Sequence, residues 1–429
     1  MWSRCNYWLW TSVTVAGLLG IIIRSVDVAL FNPKLHMLQV SEGPVLLCIA
    51  VVAGKVLFGM ARARNAAFLT CSILLLTRYY GDFSIATPRL DVGKLKDAIV
   101  ITGANSGIGF AVAEKLAQQG HTLVLACRSQ KKCDLAKEAL QRYSHGARVE
   151  SLGNLDLGSI ASTSAWAKEF PTDLHVQMLV NNAGYQPDAG SVSEDDFEGA
   201  IGVMHLGHFH LTELLHKSGS LSSGSLVLHV SSAAMRMGSF HRSLMSDKGE
   251  GDWKGEYTIA CAGPVCPPVQ FATVGHGSSS TWKIIDYLNS RYSFGAYARA
   301  KLANYLHARE IVTRYPGVLG CAVHPGMVKT SMATGPLEEM TGIFSLVREV
   351  AKAYYTLILR SSESAANIVL SAAKQCSDSN LQHGAEGRYF DGMANPVYDV
   401  YLPPVARNDT VSARLWDVSM AQVQKPSKL

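Results

Sequence analysis

Charged residues are scarce in this chain. They make up 17 % of its 429 residues, against about 25 % in an average soluble domain, whereas hydrophobic residues make up 48 %. The formal net charge of +5 is small and dispersed, so no nucleic acid is expected as a partner. The chain also has no internal repeat and no long low-complexity tract. This composition predicts that part of the chain avoids water.

Sequence patterns for a metal site are absent too. The nine cysteines contain no C-x-x-C pair, and the closest two, Cys261 and Cys266, have no His or Cys at zinc spacing. His205, His208 and His210 crowd one segment, but no nearby cysteine or carboxylate completes a ligand set. We therefore expect no bound metal and mostly reduced thiols.

Long apolar stretches lie near the start, within residues 1–90. Residues 7–23 are uncharged and begin with aromatic residues suited to a membrane interface. Residues 44–60 are interrupted by Lys55, and residues 66–76 are too short to cross a core of about 30 Å alone. A retained anchor with one to three hydrophobic segments is favoured over a cleaved signal peptide, because no cleavage site follows the first stretch. Arginines after the second stretch weakly favour a cytosolic main domain.

From residue 91 onwards, short apolar runs alternate with helical patterns. DAIVITGA (97–104) predicts a buried strand followed by a turn, and FAVAEKLAQQG (110–120) predicts a helix closed by glycine. Five more strands and intervening helices follow, including one helix from about 197 to 216. This alternation predicts an α/β fold of the Rossmann type, with a doubly wound parallel sheet over residues 91–403 and a tail over 404–429.

The alternation stops over residues 233–290, which are rich in glycine, proline and serine. Loops of this length in compact domains are usually functional or disordered. A surface insertion is favoured over a lid on a substrate pocket, and both interpretations remain open.

The segment ITGANSGIG (101–109) lies between the first strand and the first helix. Gly103, Gly107 and Gly109 permit a tight turn in which backbone N–H groups approach a pyrophosphate, and the helix N-terminus favours that negative charge. In this strand–turn–helix context, the spacing predicts dinucleotide binding.

Two strand ends refine this prediction. The second strand ends at Arg128, where an acidic residue would bind the ribose 2′-OH of NAD. Because arginine pairs with a 2′-phosphate instead, NADP(H) is favoured over NAD. Asp156, at the end of the third strand, is a candidate acceptor for the adenine amino group, and an exposed turn residue is an equal alternative.

Tyr297 and Lys301 stand four residues apart in a helical run, so their side chains share one face. An ammonium beside a phenol lowers the phenol's pKa from about 10, which suits a proton donor. An ordinary surface pair is the alternative, since Y-x-x-x-K is common by chance.

Five motifs occur in order: T-G-A-N-S-G-I-G (102–109), N-N-A-G (181–184), V-S-S (230–232), Y-A-R-A-K (297–301) and H-P-G-M-V-K-T (324–330). Over residues 94 to 396 the chain therefore resembles a short-chain dehydrogenase/reductase. L-A-C-R (125–128) and H-L-G-H-F (205–209) resemble its retinol-dehydrogenase-like branch.

The resemblance implies a catalytic role for three residues. Tyr297 would exchange a proton with the substrate oxygen, Lys301 would lower the tyrosine's pKa and hold the nicotinamide ribose, and Ser232, with Ser231 as its rival, would bond the same oxygen. The cofactor contacts expected are Gly103, Asn105, Ser106, Gly107, Ile108, Gly109, Arg128, Asp156, Asn182, Ala183, Gly184, Tyr297, Lys301, Pro325, Gly326, Val328 and Thr330.

The chain departs from the branch at Met204. The branch normally reads V-N-H-L-G-H-F, and its asparagine holds a water molecule in the proton relay behind the lysine. A thioether is at best a weak acceptor, and His205, the next residue, points about 100° away in a helix. The relay is therefore in question, and a catalytically weak NADP(H)-binding sensor or scaffold is the alternative function.

The main expectation is a membrane-anchored, NADP(H)-dependent oxidoreductase that interconverts carbonyl and alcohol on a lipophilic substrate of the retinoid, steroid or fatty aldehyde type. The branch implies the endoplasmic reticulum, with the catalytic domain facing the cytosol; a mitochondrial or plastid envelope is the alternative. A homodimer is compatible with this resemblance.

Overall fold

A computed structural model describes residues 87–90, 97–144, 146–186, 188, 191–238, 294–329, 359–378, 388–392, 394, 396–397 and 402–424. The apolar stretches expected to form a membrane anchor, most of segment 233–290 and Thr330 lie outside these ranges. Among the helices that are described, none combines the length and the apolar character needed to span a membrane.

One sheet is present in the described part of the chain, with the strand order β3-β2-β1-β4-β5-β6-β7-β8. The strands are β1 (Asp97–Thr102), β2 (Thr122–Ala126), β3 (Val149–Leu152), β4 (His175–Asn181), β5 (Leu226–Val230), β6 (Leu319–Val323), β7 (Tyr389–Phe390) and β8 (Pro396–Val397). The first seven are parallel, and β8 runs antiparallel to β7. The predicted doubly wound α/β sheet is confirmed, while β7 and β8, of two residues each, were not predicted.

The central strands are short apolar runs because both faces of a parallel sheet are covered by helices. All five residues of β5 are buried, as are the last five of β1. The helices are α1 (Gly107–Gln118), α2 (Gln130–Gln141), α3 (Ile160–Glu169), α4 (Gly199–Ile201), α5 (His208–Lys217), α6 (Phe294–Arg314), α7 (Ser362–Ser377) and α8 (Asp409–Val423).

The prediction of a single helix from 197 to 216 is wrong in one respect. A π-helical segment, Gly202–Gly207, separates α4 from α5. Such wide turns are rare and often mark functional sites. Apolar periodicity does not reveal this interruption.

The chain divides into two compact units. One comprises Thr87–Pro325 and Ala366–Leu429 and contains the whole sheet; the other comprises Met1–Ala86 and Gly326–Ala365. Within the first unit, α8 packs on α6, and Trp416 makes edge contacts with Phe209 and Tyr315. Part of the segment 404–429 therefore packs against helix α6 of the unit that contains the sheet.

A disulfide links Cys321 of β6 to Cys376 of α7. The expectation of reduced thiols therefore does not hold for this pair. The two residues are 55 positions apart, and only the packing of α7 beside the sheet brings them together. Cys127 and Cys133 are free and buried.

Candidate active site

The glycine-rich turn after β1 has the conformation that its residues allow. Gly103 and Gly107 have φ of +66° and +56°, in the left-handed region that favours glycine. A Cβ at Gly109 would lie 2.5 Å from both Asn182 Nδ2 and Gly103 O, so no larger residue fits. Ser106, the N-cap of α1, makes no side-chain cap bond, which leaves helix N–H groups suited to an anion.

The N-N-A-G turn is tied to the end of β1. Thr102 Oγ1 accepts hydrogen bonds from Asn182 N at 2.9 Å and from Ala183 N at 3.0 Å. Asn182 Nδ2 in turn donates to Thr102 O at 2.8 Å. Ala183 lies against Gly103, where a Cβ would be 3.1 Å from its Cα. The structure thus brings the two predicted cofactor segments together at one edge of the sheet.

Arg128 and Asp156 differ in their surroundings, and Asp156 lies beyond the end of β3 (Val149–Leu152), not at the strand end as expected. Arg128 follows β2 and is exposed, as are Lys131 and Lys132 in the first turn of α2. Asp156 Oδ1 accepts from Gly158 N at 2.8 Å, so this carboxylate closes a turn of its own. A guanidinium at the carboxyl edge of the sheet suits a phosphate ligand, whereas the role of Asp156 toward adenine stays a prediction.

The two candidate serines have different partners. Ser231 is buried, and its hydroxyl donates to Lys301 O at 2.8 Å. The Ser232 side chain is hydrogen-bonded to Tyr297 and accepts from Ala234 N at 3.2 Å. Ser231 therefore anchors α6 to the end of β5, and Ser232 is the serine that meets the phenol.

Lys301, one helical turn after Tyr297, is buried, with 4 % of its surface exposed. Its Nζ donates to Val230 O at 2.8 Å and stands 5.6 Å from the centroid of the tyrosine ring. Burial lowers the pKa of Lys301 to about 8.

Burial also raises the pKa of Tyr297 above its ordinary value, and the bond to Ser232 offsets this in part. The expected lowering of the phenol's pKa by Lys301 is therefore not found. The ammonium is directed at a backbone carbonyl, and the phenol keeps its proton at neutral pH.

Met204 lies fully buried in the π-helical segment. Its carbonyl oxygen accepts from two side chains: His208 Nδ1 at 3.0 Å and the Asn304 amide, with its nitrogen facing Met204, at 2.7 Å. The sequence analysis singled out neither Asn304 nor the contact between His208 and Met204. The available signal was weak, since Asn304 simply follows Lys301 by one helical turn.

The H-P-G-M-V-K-T motif is divided between the two units. Pro325 is buried after β6 in the sheet unit. Gly326, with φ of +87°, and Val328, which forms a single bridge with Arg360, belong to the other unit. Thr330 lies outside the described residues. The cofactor roles of these four residues stay predictions.

No group of three or more His, Cys, Asp or Glu side chains is arranged to hold a metal ion within the described ranges. The clustered histidines have other partners: His205 Nε2 contacts Ser419 Oγ at 2.9 Å, and His210 Nε2 contacts Ser164 Oγ at 2.8 Å. His205 and His210 therefore link helical segments within the unit that contains the sheet.

The chain is similar in sequence to known proteins. The family model described as short chain dehydrogenase matches residues 97–246. Retinol dehydrogenase 11 of Mus musculus is 30 % identical over 325 residues, which cover 75 % of this chain and 84 % of the relative. Dehydrogenase/reductase SDR family member 13 of Bos taurus is 33 % identical, with 75 % and 71 % covered.

A crystal structure of an uncharacterized protein from Mycobacterium paratuberculosis is also similar, with a TM-score of 0.49 and 24 % identity, over 77 % of this chain and 95 % of that one. On the evidence of the sequence relatives, the chain belongs to the short-chain dehydrogenase/reductase family, in its retinol-dehydrogenase-like branch.

Proposed function

We propose that this protein is an NADP(H)-dependent oxidoreductase that interconverts a carbonyl and an alcohol on a lipophilic substrate. The observation that carries the proposal is the meeting of Ser232, Tyr297 and Lys301 beside the N-N-A-G turn. The Tyr297 hydroxyl is bonded to Ser232, and a Cβ at Gly184 would lie 3.6 Å from Lys301 Nζ. Lys301 therefore lies beside the N-N-A-G turn, one helical turn after the tyrosine that is bonded to Ser232.

The residues present fit a nicotinamide dinucleotide. The glycine turn leaves no room for a Cβ at Gly109, and the amides at the start of α1 suit a pyrophosphate. NADP(H), when bound there, supplies or accepts the hydride. The 2′-phosphate that distinguishes it from NAD would pair with the exposed Arg128.

Side chains of the protein would then transfer the proton. In the direction of carbonyl reduction, Tyr297 Oη donates its proton to the carbonyl oxygen, and the Ser232 hydroxyl holds that oxygen by a hydrogen bond. The raised pKa of Tyr297 keeps the phenol protonated before the reaction. Lys301, whose Nζ stands 3.6 Å from the position of a Cβ at Gly184, would hold the nicotinamide ribose.

A lipophilic substrate is supported by two observations. Relatives with 30 % identity carry the name retinol dehydrogenase, and the chain has an uncharged apolar stretch over 7–23 and a second apolar stretch over 44–60, interrupted by Lys55, that suit a membrane anchor. A retinoid, steroid or fatty aldehyde partitions into such a membrane. We place the protein in the endoplasmic reticulum, with the catalytic domain facing the cytosol.

A second function, a catalytically weak NADP(H) sensor or scaffold, rests on Met204. Its buried thioether occupies the position at which the branch carries an asparagine, and a thioether binds water poorly. In that case the cofactor would bind tightly without appreciable turnover.

The test uses the full-length protein in detergent. NADPH and NADH are titrated by intrinsic fluorescence, and NADPH oxidation is then followed over a panel of retinoid, steroid and fatty carbonyl compounds. We expect turnover that falls at least 100-fold in Tyr297→Phe, in a variant that still binds NADPH. Turnover that survives this substitution would overturn the assignment of Tyr297, and tight binding without turnover on the panel would favour the sensor.

A further inference from the structure

His208 is a fully buried histidine, 0 % exposed, at the first position of α5. Both of its ring nitrogens have partners. Nδ1 lies 3.0 Å from Met204 O, and Nε2 lies 2.9 Å from Thr102 Oγ1. The imidazole therefore spans the gap between the π-helical segment and the end of β1.

These partners determine where the proton of the ring resides. A carbonyl oxygen can only accept, so Nδ1 carries the hydrogen and donates to Met204. Nε2 is then the unprotonated nitrogen and accepts from the Thr102 hydroxyl. Burial lowers the pKa of His208 to about 4, so this neutral form is the one present at neutral pH.

The direction of the Thr102 bond has a consequence for the cofactor turn. When the Thr102 hydroxyl donates to His208, its lone pairs face the amides of Asn182 and Ala183, which donate to it at 2.9 and 3.0 Å. The other acceptor within reach is Val180 O at 3.3 Å. Without His208 that longer bond would be the remaining donor contact of the hydroxyl among these groups, so its orientation toward the two amides would be less firmly fixed.

We infer that His208 is a positioning residue that orients the Thr102 hydroxyl and thereby holds the Asn182–Ala183 turn in its cofactor-binding shape. The same ring bonds the carbonyl of Met204, so it connects the segment behind Lys301 with that turn through one side chain. This inference rests on the proposed function, since the turn matters only if a dinucleotide binds there.

Three substitutions at His208 separate the contributions of its two ring nitrogens, and a fourth, at Thr102, tests the hydroxyl. His208→Phe keeps an aromatic ring and removes both bonds. His208→Gln places an amide oxygen near Nε2 and retains the acceptor for Thr102. His208→Asn places its amide near Nδ1 and retains only the donor to Met204. Thr102→Val removes the hydroxyl while keeping the side-chain shape.

The first readout is amide hydrogen exchange in the peptide that contains Asn182 and Ala183, measured without cofactor. We expect exchange at least tenfold faster in His208→Phe, His208→Asn and Thr102→Val, and within threefold of wild type in His208→Gln. The double variant of His208→Phe and Thr102→Val should exchange no faster than either single variant, because both remove one shared interaction.

The second readout is the dissociation constant of NADPH by fluorescence. It should rise about tenfold in the three fast-exchanging variants and return to within threefold in His208→Gln. Wild-type exchange and affinity in a folded His208→Phe variant would overturn the inference. If that variant does not fold, equal behaviour of the Gln and Asn variants would overturn it. A wild-type chain that binds no NADPH would refute the proposed function, while amide exchange still decides the role of His208.

Discussion

The sulfur of Met204 lies beside Gly184, 3.0 Å from the position that a Cβ on that glycine would occupy. An apolar, fully buried side chain therefore fills the space between the N-N-A-G turn and the π-helical segment. Lys301 Nζ stands 3.6 Å from the same Cβ position, so the thioether borders the charged end of the candidate site.

Met204→Asn should raise the turnover number for carbonyl reduction about tenfold, because an amide at this position can bond a water molecule beside Lys301. Stopped-flow measurement of NADPH oxidation provides the rate. Met204→Leu is the matched control, apolar and of similar volume, and should leave the rate unchanged. An unaltered rate in Met204→Asn would show that proton transfer does not depend on this side chain.

Arg128→Ala should weaken NADPH binding by about 10- to 100-fold, the size expected for a charge-assisted bond of about 1.5–3 kcal/mol. NADH binding should change less than twofold, since NADH lacks the 2′-phosphate. Fluorescence titration of both cofactors measures the ratio. Arg142→Ala removes another exposed arginine, at the C-terminal end of α2, and serves as the control. Equal weakening of both cofactors would refute the phosphate contact.

The catalytic efficiency with NADPH should fall above about pH 8. Burial lowers the pKa of Lys301 to about 8, so its ammonium loses the proton, and with it the positive charge, as the pH rises through this value. The ratio kcat/KM reports ionisations of the free enzyme and is measured from pH 6 to 9.5. Lys301→Arg stays charged over this range. If kcat/KM of this variant still falls at alkaline pH, the decrease arises from another group.

The fold should lose stability as the pH falls below about 6.5. Burial holds the pKa of His205 near 3, those of His208 and His210 near 4, and those of His229 and His307 well below their ordinary value. Below about pH 6.5 these histidines bind protons in the unfolded chain but stay neutral in the folded chain. The free energy of unfolding therefore decreases as pH falls, by up to about 1.4 kcal/mol per pH unit for each histidine.

His307 allows the acid dependence of stability to be checked, because neither of its ring nitrogens has a hydrogen-bond partner among the described residues. His307→Phe should stabilise the protein by about 1–3 kcal/mol at pH 7.5, as it removes unpaired polar atoms. His307→Gln should not stabilise, yet both variants should flatten the decrease in stability from pH 6.5 to 5. Thermal unfolding followed by circular dichroism gives both quantities, and an unchanged acid slope in both variants would contradict the prediction.

The cofactor end of the site was largely predictable because its chemistry is local. Gly103 and Gly109 stand in one turn, and the strand and helix that flank them follow from apolar periodicity. The proton-transfer end was not predictable to the same degree. Tyr297 and Lys301 are adjacent on one helix, yet the ammonium bonds Val230, a residue of a distant strand. The sequence pair therefore suggested a lowered phenol pKa, whereas burial within the fold raises it.

By itself, the sequence determined the doubly wound sheet, the glycine turn at 101–109 and the membership of the family, because each depends on residue type at short spacing. Only the tertiary structure decided that Ser232 and not Ser231 meets the phenol, that Cys321 bonds Cys376, and that His208 joins Met204 to Thr102. The physical reason is shared by all three. Each involves a contact between elements far apart in the chain, which for His208 is the one with Thr102, and the direction of a side chain at such a contact is set by packing.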